Sequence, residues 1–192
     1  MKNTLRATLC LLLAALLALG CAAFAEPKAA VSDDITKLEA LINGKVYTFA
    51  TTIDGLREQG INFSQESPAP GYWYTVDTGR VALDVLIDAA SRDTATADDL
   101  YVCGYDLSAD KAPQAVIYGG LTVGEMTPAS VVAALGEPNY GAGTSSLTYN
   151  FRRNYISMYF YFDGEGEDAP LRHVRLTSSI PYAFGRSEGA HV

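Results

Sequence analysis

A chain of 192 residues that is 48% hydrophobic is long enough to bury a sizeable core, and is of a size for one domain or two small units. Its 22 acidic side chains against 14 basic ones give a formal charge of −8, which repels phosphate backbones and excludes nucleic acid as a partner class. Of its three cysteines, Cys10 and Cys21 lie within the first 25 residues, so beyond them only Cys103 remains and no internal disulfide can form.

The chain opens with Lys2 and Arg6, and then Leu9 to Leu19 is Leu and Ala apart from Cys10. A positive start followed by an apolar run shorter than the roughly 20 residues of a spanning helix predicts an export signal. Ala23-Phe24-Ala25 before Glu26 is a small-x-small cleavage site, which makes residues 1–25 a signal peptide and releases an exported protein. Its loss of Lys2 and Arg6 takes the charge from −8 to −10. Leu17-Ala18-Leu19-Gly20-Cys21 also resembles the lipobox of bacterial lipoproteins, with Ala18 where that pattern favours Leu. The second ending implies lipid attachment at Cys21, and with it the one route to a membrane.

Next, Ile35 to Ile42 and Lys45 to Phe49 flank Asn43-Gly44, the strongest two-residue hairpin signal, because both residues tolerate positive φ. A helix over Asp33 to Leu41 is the alternative, with Ser32 as its cap. Thr52 opens a short helix with Asp54 in its first turn and Gly60 at its stop. After a polar loop from Ser64 to Gly71, Tyr72 to Val76 reads as a strand. Val81, Leu83, Val85 and Ile87 alternate with Ala82, Asp84, Leu86 and Asp88 in a second. Leu100 to Leu107 is a third strand and Ala115 to Leu121 a fourth, with Gly119-Gly120 marking a bulge. Thr127 as N-cap, Pro128 at the first position, the stripe Val131, Val132 and Leu135, and Gly136 with Pro138 predict the clearest helix. Ser146 to Phe151, Tyr155 to Phe162 and Leu171 to Leu176 complete the strands.

The order predicts an α+β fold of two tandem units, each a short helix plus an antiparallel β-meander. Residues 26–113 form the first, residues 114–180 the second, and residues 181–192 a flexible tail. The run Val123-Gly124-Glu125-Met126-Thr127-Pro128, continuing to Val131-Val132 and Leu135-Gly136-Glu137-Pro138, resembles the Gly-x-Met-Thr, Val, Leu-Gly-x-Pro signature of the small lipoprotein of the outer-membrane β-barrel assembly machine. It is similar also to the β-lactamase-inhibitor-protein-like fold, whose inhibitors carry the unit twice. This resemblance covers about a third of the chain, Gly119 to Leu176, and implies a helix packed on a three- or four-stranded sheet. Its motif residues cap and stop a helix and carry no chemistry. The first half departs from the single-unit lipoprotein, and the want of cysteine pairs departs from the disulfide-bearing inhibitors. Ile42 to Tyr47 resembles the start of uncharacterised exported bacterial proteins.

No Gly-x-Ser-x-Gly elbow, phosphate-binding loop, His-Glu-x-x-His or cysteine pair occurs, so a non-enzymatic protein without cofactor or metal is expected. Asp163-Gly164-Glu165-Gly166-Glu167-Asp168 has the alternating carboxylates of a calcium loop. It lacks the glycine at the sixth position, where Asp168 stands, and Val174 takes the place of the bidentate Glu, so it reads as a solvated turn. Asp84 and Asp88 read as the wet face of a strand, and His173, between Arg172 and Arg175, as a cross-strand partner. Cys103 reads as a buried apolar residue.

One pattern stands out among 12 tyrosines. In Tyr155 to Phe162 the strand period puts Tyr155, Tyr159 and Tyr161 on one face and Ile156, Met158, Phe160 and Phe162 on the other. A tyrosine face on a sheet suits recognition, because each ring brings apolar area and a polar tip with little entropy to lose, while the alternative is that tyrosines simply favour strands and pair across them. The expectation is a binding or inhibitor-like protein whose sheet face contacts another protein or an envelope component. A structural envelope lipoprotein anchored through Cys21 is the alternative.

Overall fold

The structure, a computed structural model, describes residues 29–179 except 90, 94, 97, 98 and 152–154. The expected signal peptide, Cys21 and the tail 181–192 lie outside the described residues.

Asn43 and Gly44 both take positive φ, 51° and 82°, and join β1 (Glu39–Ile42) to β2 (Lys45–Thr48) in a tight hairpin. The first strand starts later than Ile35. The Asp34 side chain accepts from the Thr36 N–H, winds Ile35–Lys37 into a 3-10 turn, and Leu38 at φ 49° closes it. A local side-chain bond has outcompeted the strand there. Thr52, at the end of the two-residue β3 (Thr51–Thr52), caps α1 (Ile53–Glu58) by accepting from the Gly55 N–H, and Gly60 at φ 80° follows its end. At the foot of α1 the Gln59 side chain bonds both backbone groups of Thr48, its Oε1 accepting from the N–H and its Nε2 donating to the carbonyl.

β4 (Tyr72–Asp77), β5 (Ala82–Ala89) and β6 (Leu100–Ser108) follow as expected. The single strand expected at Ala115 to Leu121 is instead two short ones. β7 (Val116–Ile117) turns through Tyr118–Gly120 into β8 (Leu121–Thr122), its own antiparallel partner. Gly119 and Gly120 therefore form the turn rather than a bulge, and their φ values of 78° and 71° are the reason. α2 (Pro128–Leu135) has the full set of signals: Thr127 and Ser130 exchange a reciprocal capping box, and Gly136 receives the last turn, its N–H donating to the Val132 carbonyl. β9 (Ser146–Phe151), β10 (Ile156–Phe162) and β11 (Leu171–Ser178) complete the described strands, with Tyr155 in the turn just before β10 rather than inside it.

Among the described residues all strand pairings are antiparallel. The main sheet has seven strands, ordered β4-β5-β6-β11-β10-β9, with β3 added along β6, and a four-stranded sheet is ordered β2-β1-β7-β8. Together with two short α-helices among the described residues, this is an α+β architecture in which sheet dominates. Each sheet contains strands from both sides of residue 113, through β1 with β7 and through β6 with β11.

One face of the main sheet forms the core with the small sheet and the helices. Val85, Ile87, Tyr105, Leu107, Val174, Leu176, Met158 and Phe160 from the strands are buried with Phe49, Leu56, Ala40, Ile117 and Val131. Tyr105 joins the layers: its ring lies 4.7 Å from that of Phe49, and its hydroxyl donates to the Glu39 carbonyl at 3.1 Å. Burial pushes that phenol up, so it stays a donor. Tyr149 does the same for α2, donating to the Gly136 carbonyl at 2.8 Å while its ring meets Phe160 edge-on.

Candidate binding face

Strand alternation that sends Phe160 inward sends its neighbours outward, and the registers align those neighbours in rows across the sheet. One row runs Thr75, Asp84, Asp106, Arg175, Tyr159, Thr148, from β4 to β9. Beside it lie Trp73, Leu86, Gly104, Thr177, Ser157 and Asn150, and on the other side Tyr161 opposite His173 opposite Ser108.

Asp106 is the hub of this face. Its Oδ2 accepts from Arg175 Nε at 3.0 Å and from an Arg175 terminal nitrogen at 2.8 Å. His173 Nδ1 lies 3.0 Å from Asp106 Oδ1, and because a carboxylate accepts, Nδ1 carries the hydrogen. The His173 ring is stacked on Tyr161, centroids 4.3 Å apart and planes 7° from parallel. Arg175 reaches across two strands in the other direction, its guanidinium 4.5 Å from the centroid of the Trp73 ring. Gly104, in the row between them, presents no side chain to that crossing. It has room for none, since a Cβ would stand 2.6 Å from the Leu176 carbonyl. The result is a continuous chain, Trp73, Arg175, Asp106, His173, Tyr161, fixed by charge-assisted hydrogen bonds and ring contacts.

Of the three expected tyrosines, the structure places Tyr159 and Tyr161 on this face, half-buried, and Tyr155 at its margin, 48% exposed. Ile156, Met158, Phe160 and Phe162 are buried, as alternation requires. His173 is a cross-strand partner, as read from the sequence, but it is tied to Asp106, which sequence reasoning passed over. Trp73 was missed as well. The available signals were one carboxylate in the apolar run Leu100 to Leu107, and a Trp in the outward register of its strand.

The remaining candidates behave otherwise. Asp84 is exposed and accepts from the Thr75 hydroxyl at 2.6 Å, while Asp88 pairs with Arg92, which holds its carboxyl below the usual range against a partial desolvation. The two do not act together. Cys103 is buried beside the Leu86 carbonyl, and burial pushes its thiol up to about 12. It is no nucleophile in the folded state. Asp163 to Asp168 form the exposed connection between β10 and β11. Among the described residues no three His, Cys, Asp or Glu side chains come together as metal ligands, and no helix is long and apolar enough to cross a membrane. The chain matches no protein-family model, no curated protein and no solved structure.

Proposed function

We propose that this is an exported, non-enzymatic binding or inhibitor-like protein that contacts another protein or an envelope component through the open face of its main sheet. The observation that carries this reading is the chain from Trp73 through Arg175, Asp106 and His173 to Tyr161. Trp, Tyr and Arg are the residue types that dominate association energies. Here they are held in place before any partner arrives, which lowers the entropy that binding must overcome. The succession of a helix and a three-strand meander, met twice, supports two tandem units, as does the meeting of the meanders at β6 and β11. The resemblance to the β-lactamase-inhibitor-like fold rests on the run Val123 to Pro138 alone, and a shared fold does not by itself carry a shared function.

The test is capture from the native cell envelope by the immobilised protein, compared with Trp73→Ala and with the double variant Tyr159→Ala, Tyr161→Ala. Loss of an aromatic anchor costs an association about 2 kcal/mol or more, roughly a thirtyfold loss of affinity. A partner retained equally by wild type and both folded variants overturns the assignment of the site.

A further inference from the structure

α2 carries more apolar surface than the core uses. Ser130 is the only polar side chain in Pro128–Leu135 and Val131 its only fully buried residue, while Ala129, Ala133 and Ala134 are exposed. A helix without a charged residue on its outer side has the composition of a covered one. Beside it lies a groove of about 480 Å³, within the range of ligand sites, with Val132 and Leu147 at its apolar base. Its walls are the loop after α2, including Gly143, and the tip of the β10–β11 connection at Glu167. These walls are tied to the helix: the Ala129 N–H donates to the Glu167 carbonyl at 3.1 Å, and Tyr149 holds the Gly136 carbonyl. Because Leu147 faces the core side and its neighbour Thr148 the open side, the groove lies on the opposite side of the sheet from Trp73 and Tyr161.

Among the described residues, the only ionisable ones in its lining are Glu137 and Glu167, both exposed. We propose that the groove is a docking site for a basic-aliphatic peptide segment of another protein: an aliphatic side chain rests on Val132 and Ala133, above the buried Leu147, while flanking lysines or arginines meet the two carboxylates. Charge complementarity selects this occupant. A second copy docked about a two-fold axis would set the same carboxylates against each other. An anionic partner meets the same repulsion, from a chain of formal charge −8.

The test is an NMR titration of the protein, methyl-labelled at Val and Leu, with the acetylated and amidated peptide Gly-Lys-Leu-Lys-Gly. Saturable shifts of the Val132 and Leu147 methyls are expected. The affinity should fall at least tenfold in the double variant Glu137→Gln, Glu167→Gln, and binding should vanish in Ala133→Arg, which places bulk and a competing cation at an exposed helical position. Gly-Glu-Leu-Glu-Gly and Gly-Lys-Gly-Lys-Gly should bind at least tenfold more weakly, the first for lack of complementary charge and the second for lack of an aliphatic side chain. Any one of four results overturns the proposal: either control peptide binding as well as the first, unchanged affinity in the double Gln variant, shifts confined to the residues around Trp73 and Tyr161, or no shift at millimolar peptide.

Discussion

Phe160 and its neighbours Tyr159 and Tyr161 make opposite claims on the same strand, and truncating each tests the orientation of the sheet. Phe160 is fully buried at the centre of β10, with the Tyr149 ring edge-on at 5.8 Å. Removing its ring forfeits about 2–3 kcal/mol of apolar burial and about 0.5–1.5 kcal/mol of aromatic pairing. With the cavity left behind, Phe160→Ala should cost about 3–5 kcal/mol. In a domain of this size each kcal/mol moves the melting temperature by about 2–4 °C, so a drop on the order of 10 °C is expected in a thermal scan. Tyr159→Ala with Tyr161→Ala removes half-buried rings and one stack on His173, and should cost about 1–2 kcal/mol. A double variant that melts as low as Phe160→Ala, or below it, would refute the assignment of the two faces.

Gly136 sits at φ 80° and ψ −166°, a region that is nearly glycine's alone, with nothing within 4 Å of where a Cβ would stand. Gly136→Ala should therefore lose about 1–3 kcal/mol by backbone strain alone, read as a lower melting temperature. Cys103 should resist alkylation at pH 8, where a thiol raised to about 12 is ionised to about one part in ten thousand, and should react at the unfolding rate. Stability of the monomer should not change with reductant, checked by paired thermal scans. Asp88 is held below its ordinary carboxyl value by the Arg92 hydrogen bond, so its contribution is present above about pH 4 and is lost as pH falls through the lowered folded value. Asp88→Asn should flatten the acid limb of a stability profile, and an unchanged limb would mean that the pair contributes nothing in solution. N-terminal sequencing of exported material should begin at Glu26, whereas an acylated Cys21 found by mass spectrometry would establish the lipoprotein reading.

What could be read in advance was local. Asn43-Gly44, the Thr127 to Gly136 helix and the alternation of Val81 to Asp88 are each specified by neighbours within a turn or a strand, and each stands as read. Ala115 to Leu121 misled because its β-branched and aromatic composition suits a strand, while the positive φ of two adjacent glycines turns it into a hairpin. The contacts of the open face were out of reach for a different reason. Arg175 meets Trp73 only because β4, β5, β6 and β11 lie side by side, and the adjacency of β6 and β11 joins residues 69 apart for Asp106 and Arg175. No period within one strand encodes it. The tyrosine face was legible as a face, but its hub, Asp106, was hidden in an otherwise apolar run.

The two bonds from Gln59 to Thr48 have a consequence beyond docking a helix. β2 is one of the two outer strands of the small sheet, and an outer strand offers its backbone to any other extended chain. A primary amide carries the same donor and acceptor pair as a peptide group, so at Thr48 the Gln59 side chain takes the place that a foreign strand would occupy. Growth of the sheet in that direction thus depends on whether α1 stays folded. While α1 stays docked, the Gln59 side chain at its foot closes this edge at Thr48.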